Sequence, residues 1–106
     1  MIELLKQTIA ALHGDMVSWR RHLHRHPELS FHEHNTVAYV IERLKAEGIE
    51  VRGGVGKLTP DSRGTGAVAL VKGTKPGPSK CIALRADLDA LPIIEVGKDA
   101  YCSLNP

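Results

Sequence analysis

Apolar residues recur at alternating spacings of three and four along the first part of the chain, which places them on one stripe of a helix. The stripe consists of Leu5, Ile9, Leu12, Met16, Trp19 and Leu23. We expect it to face a core, with a weak point at Gly14, because glycine in a helix costs about 1 kcal/mol relative to alanine and Asp15 can serve as a new N-cap. His26-Pro27 should end the helix, since proline disfavours helical geometry in the residue before it.

A second apolar face predicts a helix that begins around Ser30 to Glu33. These two residues have the S-x-x-E spacing of a capping box. The residues expected to be buried along the helix are Val37, Val40, Ile41 and Leu44. Gly48 is suited to the end of this helix, because glycine adopts the left-handed conformation without a Cβ penalty.

Three short strands are predicted after the second helix. Ile49 and Val51 alternate with polar residues, and residues 67–71 and 81–84 form apolar runs separated by segments rich in glycine and proline. The run at 81–84 has the pattern of a strand covered on both faces. The order of the elements therefore predicts an α/β fold in which two N-terminal helices pack on a mixed sheet.

Composition and charge exclude several classes of function. The chain has 106 residues, of which 42% are hydrophobic and 25% charged, so a soluble globular protein is expected. The net charge of +2 is spread along the sequence, which argues against a nucleic-acid partner. Without a long apolar run or a signal peptide, we expect no membrane partner and a cytoplasmic location. Cys81 and Cys102 do not form a disulfide framework and are expected to be free thiols.

Five of the six histidines lie between His22 and His34. Zinc ligands must converge, whereas in a helix His22 and His24 point in nearly opposite directions and only His22 and His26 share a face. Histidines that are solvated, or that cap a helix end, are therefore the favoured interpretation. The alternative is a small histidine-rich metal-binding or interaction module that uses His22, His26, His32 or His34.

A second cluster of charged residues follows the apolar run at 81–84. Arg85, Asp87 and Asp89 precede the turn at Pro92. Charges at the end of a central strand are costly to bury unless they are paired, and ligand sites of α/β proteins form at strand ends. Asp87 is therefore the best catalytic candidate. From these residues alone, a purely structural ion pair of Arg85 with Asp87 or Asp89 is an equal alternative.

Two motifs in the same order give the chain a family resemblance. Residues 19–31, with Glu33 and Thr36 after them, are similar to the N-terminal signature of hippurate hydrolases, N-acyl-amino-acid amidohydrolases and auxin-conjugate hydrolases. Thr65-Gly66, the segment 84–92, Glu95 and Tyr101 resemble the same family further along. The loop from Val55 to Thr65 is longer than the family pattern, and insertions in such a loop are tolerated.

The resemblance implies that residues 1–106 are the N-terminal part of a catalytic domain of zinc-peptidase-like fold. A lid domain and the C-terminal half would lie elsewhere. Family members use a divalent metal, which is zinc, manganese or cobalt. The resemblance implies that Asp87 orients the site without binding the metal itself. Arg85 and Asp89 would be supporting or structural residues. Arg85 cannot bind a metal, and no metal ligand is expected in this chain.

The resemblance also implies a substrate and a reaction. Hydrolysis of the amide bond of N-acyl amino acids such as hippurate is expected for the family, and the isolated chain should be inactive and bind no metal. Its first metal ligands are expected in a Cys-Gly-His-Asp stretch that the encoding DNA specifies shortly after Pro106. Because the run at 81–84 needs neighbours, self-association of the chain into a homo-oligomer is also expected.

Overall fold

The computed structural model describes residues 1–104 and has an α/β composition, as predicted. Its elements are α1 (Ile2–Ala11), α2 (His13–Arg25), α3 (His34–Ala46), β1 (Glu50–Val55) and β2 (Gly66–Leu70). The described chain thus has three helices where two were predicted, and a two-stranded antiparallel sheet where a mixed sheet was predicted. It divides into two compact units: α1, α2 and the residues from Leu91 onward form the first, and residues 28–90 form the second.

In the first unit, the predicted N-terminal helix is interrupted at Leu12. The interruption lies two residues before the expected weak point, and Gly14 and Asp15 both lie within the first turn of α2. The C-terminal end is as predicted: α2 stops at Arg25, and His26 leaves the helical region with φ −124° and ψ 59° before Pro27. The steric effect of proline on the preceding residue therefore sets this boundary.

The apolar stripe of α1 and α2 does not face a core, which corrects the sequence prediction. Its first four members are exposed, with Leu12 the least at 41%, and only Trp19 and Leu23 are half-buried. Within this unit the two helices contact each other, and the only other segment is the one after Leu91, which has no helix or strand among its described residues. Helix periodicity follows from local sequence, whereas burial needs a facing element.

Hydrogen bonds join the segment after Leu91 to the end of α2. His24 Nε2 lies 2.7 Å from a Glu95 carboxylate oxygen, and the other oxygen accepts the Ser103 N–H at 2.5 Å. The Leu104 N–H donates to the Arg25 carbonyl at 2.8 Å. The Ser103 N–H and His24 stabilise the charged carboxylate, so the pKa of Glu95 lies below its ordinary value of 4.5. These contacts order a segment that lacks secondary structure.

In the second unit, α3 packs its predicted apolar face on the hairpin. All four predicted residues of this face are half-buried, and α3 contacts both strands. The end of the helix is a Schellman motif, in which Gly48 at φ 73° donates its N–H to the Lys45 carbonyl and Ile49 donates to the Leu44 carbonyl. Gly48 therefore ends the helix as predicted.

The sheet is a hairpin whose register changes at a bulge. Glu50 pairs with Leu70 and Gly53 with Ala67, and the register then shifts between Gly53 and Val55. Gly54 takes φ 71° at the bulge, a conformation that glycine adopts at little cost. The end of β1 and the start of β2, which pair next to this bulge, line the cleft described below.

The strand predicted at residues 81–84 is absent, which corrects the prediction of a strand covered on both faces. Ile82 is 88% exposed and Leu84 95% exposed. A strand needs a hydrogen-bonded neighbour, and β1 and β2 pair with each other in the described chain. Apolar composition alone therefore did not make this segment a strand.

The most buried side chains of residues 1–104 are polar. Glu33, Thr36 and Thr65 are 6–9% exposed, and no hydrophobic side chain in this part of the chain is fully buried. No helix within residues 1–104 is long and apolar enough to cross a bilayer. The most buried side chains of the second unit thus lie at the start of α3 and just before β2.

Candidate functional site

An open cleft in the second unit has a volume of about 440 Å³. Three parts of the chain line it: the turn before α3, the loop end of the hairpin where β1 ends and β2 begins, and residues 85–89. Arg85, Asp87 and Asp89, the three residues singled out from the sequence, all line this cleft. The structure thus gathers the predicted charged residues at one surface, together with residues of the family motifs to which the sequence assigned no place in the site.

The turn before α3 has an unusual backbone at Phe31. Phe31 takes φ 65°, and it is the one non-glycine residue with positive φ in the described chain. Left-handed backbone is uncommon for a bulky residue and is maintained only where the surroundings impose it. The His32 N–H closes this turn by donating to the Leu29 carbonyl at 2.9 Å. Phe31 lines the cleft with its side chain half exposed.

Ser30 binds the segment that carries the predicted site residues. Its hydroxyl donates to the Asp89 carboxylate at 2.6 Å, and nearby the Ala90 N–H donates to the Glu28 carbonyl at 2.8 Å. The capping box predicted for Ser30 and Glu33 is therefore not formed, and α3 has no capping hydrogen bond from its N-cap residue, Glu33. Ser30 contacts a residue 59 positions away instead of the local backbone.

Glu33 binds the start of β2. The Thr65 hydroxyl donates to its carboxylate at 2.5 Å, and both residues are buried. A buried carboxylate is costly without hydrogen-bond donors, so this contact stabilises the packing of the turn against the hairpin. Thr65 immediately precedes β2 and also lines the cleft. The turn therefore contacts the other two stretches that line the cleft.

The cap of α3 is Glu28, a residue that sequence reasoning missed. Its carboxylate accepts the N–H groups of Asn35 and Thr36 at 3.1 and 2.5 Å, as well as the Thr36 hydroxyl at 2.6 Å. These N–H groups have no partner within the helix, and the helix N-terminus favours a negative charge. Burial alone would raise the pKa of Glu28, but the hydrogen bonds from Thr36 and Asn35 outweigh it and lower the pKa below 4.5. Because Glu28 lies outside the capping-box spacing, no local pattern identifies it.

The lowered pKa of Glu28 gives a prediction for stability in acid. A carboxyl with a lower pKa in the folded than in the unfolded chain stabilises the fold fully above about pH 4.5, and this stabilisation is lost as the pH falls through the folded pKa. Glu28→Gln should therefore lower the unfolding temperature at pH 7. The further decrease between pH 7 and pH 3 should be smaller in this variant than in the unmodified chain. Thermal unfolding monitored by circular dichroism at both pH values measures this.

Glu47→Gln is the matched control for this experiment. Glu47 is exposed at the other end of α3, and this change should leave the loss of stability in acid as it is in the unmodified chain. If Glu28→Gln and the unmodified chain lose equal stability between pH 7 and pH 3, Glu28 is not the cap of this helix in solution.

Arg85 and Asp87 form an exposed ion pair. The guanidinium lies 3.0 Å from the Asp87 carboxylate, and the two side chains are 90% and 73% exposed. Such exposed pairs contribute little to stability because water screens them. Of the two ion pairs considered from the sequence, Arg85 forms the one with Asp87 rather than with Asp89. The Asp87 carboxylate is nevertheless exposed and accessible to a ligand in the cleft.

The histidines do not gather into a metal site in the described chain. His22 and His26 lie on one face of the end of α2, with ring centroids 4.7 Å apart, and His26 Nδ1 is hydrogen-bonded to the His22 carbonyl. His24 is engaged by Glu95. Within residues 1–104, no three histidine, cysteine, aspartate or glutamate side chains are arranged to hold a metal ion. The described residues by themselves thus provide no complete set of metal ligands.

Comparison with known proteins places the chain among curated hydrolases. It is 41% identical over 95 residues to a thermostable carboxypeptidase of Saccharolobus solfataricus and 38% identical over 104 residues to the N-acyl-L-amino acid amidohydrolase of Geobacillus stearothermophilus. It is also 42% identical over 95 residues to an N-acetyl-L-cysteine deacetylase of Bacillus subtilis. No family model and no solved structure gives a significant match.

These matches cover nearly all of this chain but little of the relatives. The match to the carboxypeptidase covers 90% of this chain and 22% of that enzyme. The match to the amidohydrolase covers 98% of this chain and 26% of the relative, and the match to the deacetylase covers 90% and 21%. The chain thus spans about a quarter of the length of the curated relatives it matches. The matched residues include the turn before α3 and the segment with Asp87, since an alignment of 104 residues leaves only two of the 106 outside.

Proposed function

The chain belongs to the amidohydrolase family of N-acyl amino acid amidohydrolases, carboxypeptidases and deacetylases, and from this membership we propose that its protein hydrolyses the amide bond of N-acyl amino acids. The observation that carries the proposal is identity near 40% over about 90% of the chain with enzymes of this kind. Hippurate-like compounds, in which an aromatic acyl group is joined to an amino acid, are the substrates we propose.

The cleft of the second unit supports a role for this chain in that reaction. It combines an arginine, three carboxylates and the half-exposed side chain of Phe31 around one open volume; the carboxylates are those of Glu33, Asp87 and Asp89. An N-acyl amino acid offers matching groups, namely a carboxylate, a polar amide and an apolar acyl chain. We assign Asp87 as the principal functional residue, with Arg85 and Asp89 in support.

The divalent metal of the family would supply a polarised carbonyl and an activated water when bound. The described residues do not form a metal site, so we assign no metal ligand to residues 1–104. The proposed contribution of this chain is to line and orient one side of the substrate cleft. For the same reason, we propose that the isolated 106-residue chain is inactive.

A chimeric enzyme tests the proposal. In the Geobacillus stearothermophilus amidohydrolase, the stretch that matches this chain is replaced by the chain itself, using the alignment over 104 residues. We expect the chimera to hydrolyse N-acetyl amino acids, because the transplanted residues form the same part of the catalytic machinery. Amino acid release is measured with zinc, manganese or cobalt ions added.

The isolated chain in the same assay is expected to stay at background, with hippurate as well as with N-acetyl amino acids. A folded chimera without activity would contradict the proposed function. Turnover by the isolated chain that persists after rigorous removal of host hydrolases and disappears in Asp87→Ala would contradict the proposed inactivity.

The alternative function, a histidine-rich metal-binding module, is favoured only by the pairing of His22 and His26 on one helical face. It requires stoichiometric binding of zinc by the isolated chain, which calorimetric titration measures. We expect no such binding. Stoichiometric uptake that is lost in His26→Ala would favour the module.

A further inference from the structure

The segment that carries the proposed site residues has little structure of its own. In the described chain, residues 71–98 form no helix or strand. Among the backbone hydrogen bonds within residues 1–104, Ala90 is the one N–H donor from residues 81–90, and it donates to the Glu28 carbonyl. The position of Asp87 in the cleft must therefore be determined by contacts with other parts of the second unit.

Ser30 provides the side-chain contact that can determine this position. Its hydroxyl lies 2.6 Å from Asp89, two residues from Asp87, and a hydroxyl bound to a carboxylate at this distance forms a strong, charge-assisted hydrogen bond. Ser30 directly precedes Phe31, whose left-handed backbone fixes the direction of the turn. The Ser30 hydroxyl thus has a defined place at the rim of the cleft.

We propose that Ser30 is a positioning residue, which holds the segment from Arg85 to Asp89 in the cleft by binding Asp89 and so orients Asp87 for the reaction. This inference rests on the proposed function, since it assigns a role within the same site. Ser30 need not touch the substrate. Its effect on the reaction passes through Asp89 and the backbone that connects Asp89 to Asp87.

The first test uses the 106-residue chain and compares Ser30→Val with Ser30→Thr. Valine and threonine have nearly the same shape and differ mainly in the hydroxyl, and position 30 is exposed, so both changes are compatible with folding. We expect the Ala90 amide, which donates to Glu28, to exchange with solvent at least several-fold faster in Ser30→Val and at the original rate in Ser30→Thr. Exchange measured by NMR that is equal in the two variants would overturn the positioning contact.

The second test measures kinetics in the chimera. Small misplacement of a catalytic group is costly, so we expect kcat to fall about 10-fold or more in Ser30→Val, with KM nearly unchanged and activity retained in Ser30→Thr. Ser79→Val is the matched control, because Ser79 is an exposed serine whose side chain makes no hydrogen bond to another residue of the part of the chain that the structure describes. It should match the unmodified chimera.

The outcomes separate the two hypotheses. A chimera that is inactive with its original Ser30 contradicts the proposed function. An active chimera in which Ser30→Val and Ser30→Thr have the same kcat contradicts the positioning role alone. A fall in kcat in Ser30→Val that is reversed by threonine supports it, since a general loss of folding would not depend on one hydroxyl.

Discussion

Replacement of Asp87 by asparagine in the chimera is expected to lower kcat about 10- to 100-fold, the usual cost of removing a residue that orients a catalytic site. Asparagine keeps the size of the side chain and removes its charge. The Asp87 carboxylate lines the cleft and is largely exposed, so its contribution should be to the bound substrate or the reacting groups rather than to folding. Steady-state kinetics with an N-acetyl amino acid measure the change.

Asp61→Asn is the matched control for this substitution, because Asp61 is an exposed aspartate in the loop between β1 and β2, away from the cleft lining. It should leave kcat unchanged. The unfolding temperature distinguishes the structural alternative: if the Arg85–Asp87 ion pair serves only stability, Asp87→Asn lowers the unfolding temperature and leaves kcat unchanged. That result would remove Asp87 from the proposed site.

The largest effect on stability is expected from Gly64→Ala. A Cβ at this position would overlap the Val55 carbonyl oxygen and would lie 2.7 Å from the Gly54 carbonyl oxygen. Both neighbours are backbone atoms of the bulged strand and cannot rotate away, so the backbone of the strand or of the loop at Gly64 must shift. We expect a loss of about 2 kcal/mol or more, which corresponds to roughly 10 °C in the unfolding temperature of a domain of this size.

Gly77→Ala is the control for this prediction, because a Cβ at Gly77 meets no atom within 4 Å. Alanine there should change the unfolding temperature little, or raise it slightly by restricting the unfolded chain. Thermal unfolding of the two variants of the 106-residue chain measures the difference. Equal unfolding temperatures would show that the close approach of Gly64 to the strand does not exist in solution.

The elements that local sequence specifies were predicted well. The apolar spacing located the helical segments, proline fixed the end of α2, and Gly48 fixed the end of α3. Each depends on residues within a few positions of one another. The strand at 81–84 failed because a strand depends on a partner, and its apolar residues are largely exposed in the structure.

The candidate site shows the same division between local and distant contacts. Arg85, Asp87 and Asp89 were recognised because charged residues following an apolar run are unusual, although that run is not a strand. Their neighbours in the cleft could not be found in this way. Ser30 binds a residue 59 positions away and Glu33 binds one 32 positions away, distances at which no sequence spacing indicates contact.

The sequence by itself determined the family, the helical segments and the three charged residues of the candidate site, because motifs and periodicity are properties of neighbouring positions. Only the tertiary structure decided that Glu28 caps α3 in place of the predicted capping box, and that Ser30 binds Asp89. The left-handed turn at Phe31 lies between these residues and α3. A carboxylate or hydroxyl side chain forms a hydrogen bond with a donor or acceptor that the folded chain brings within about 3 Å. The path of the backbone determines which group that is.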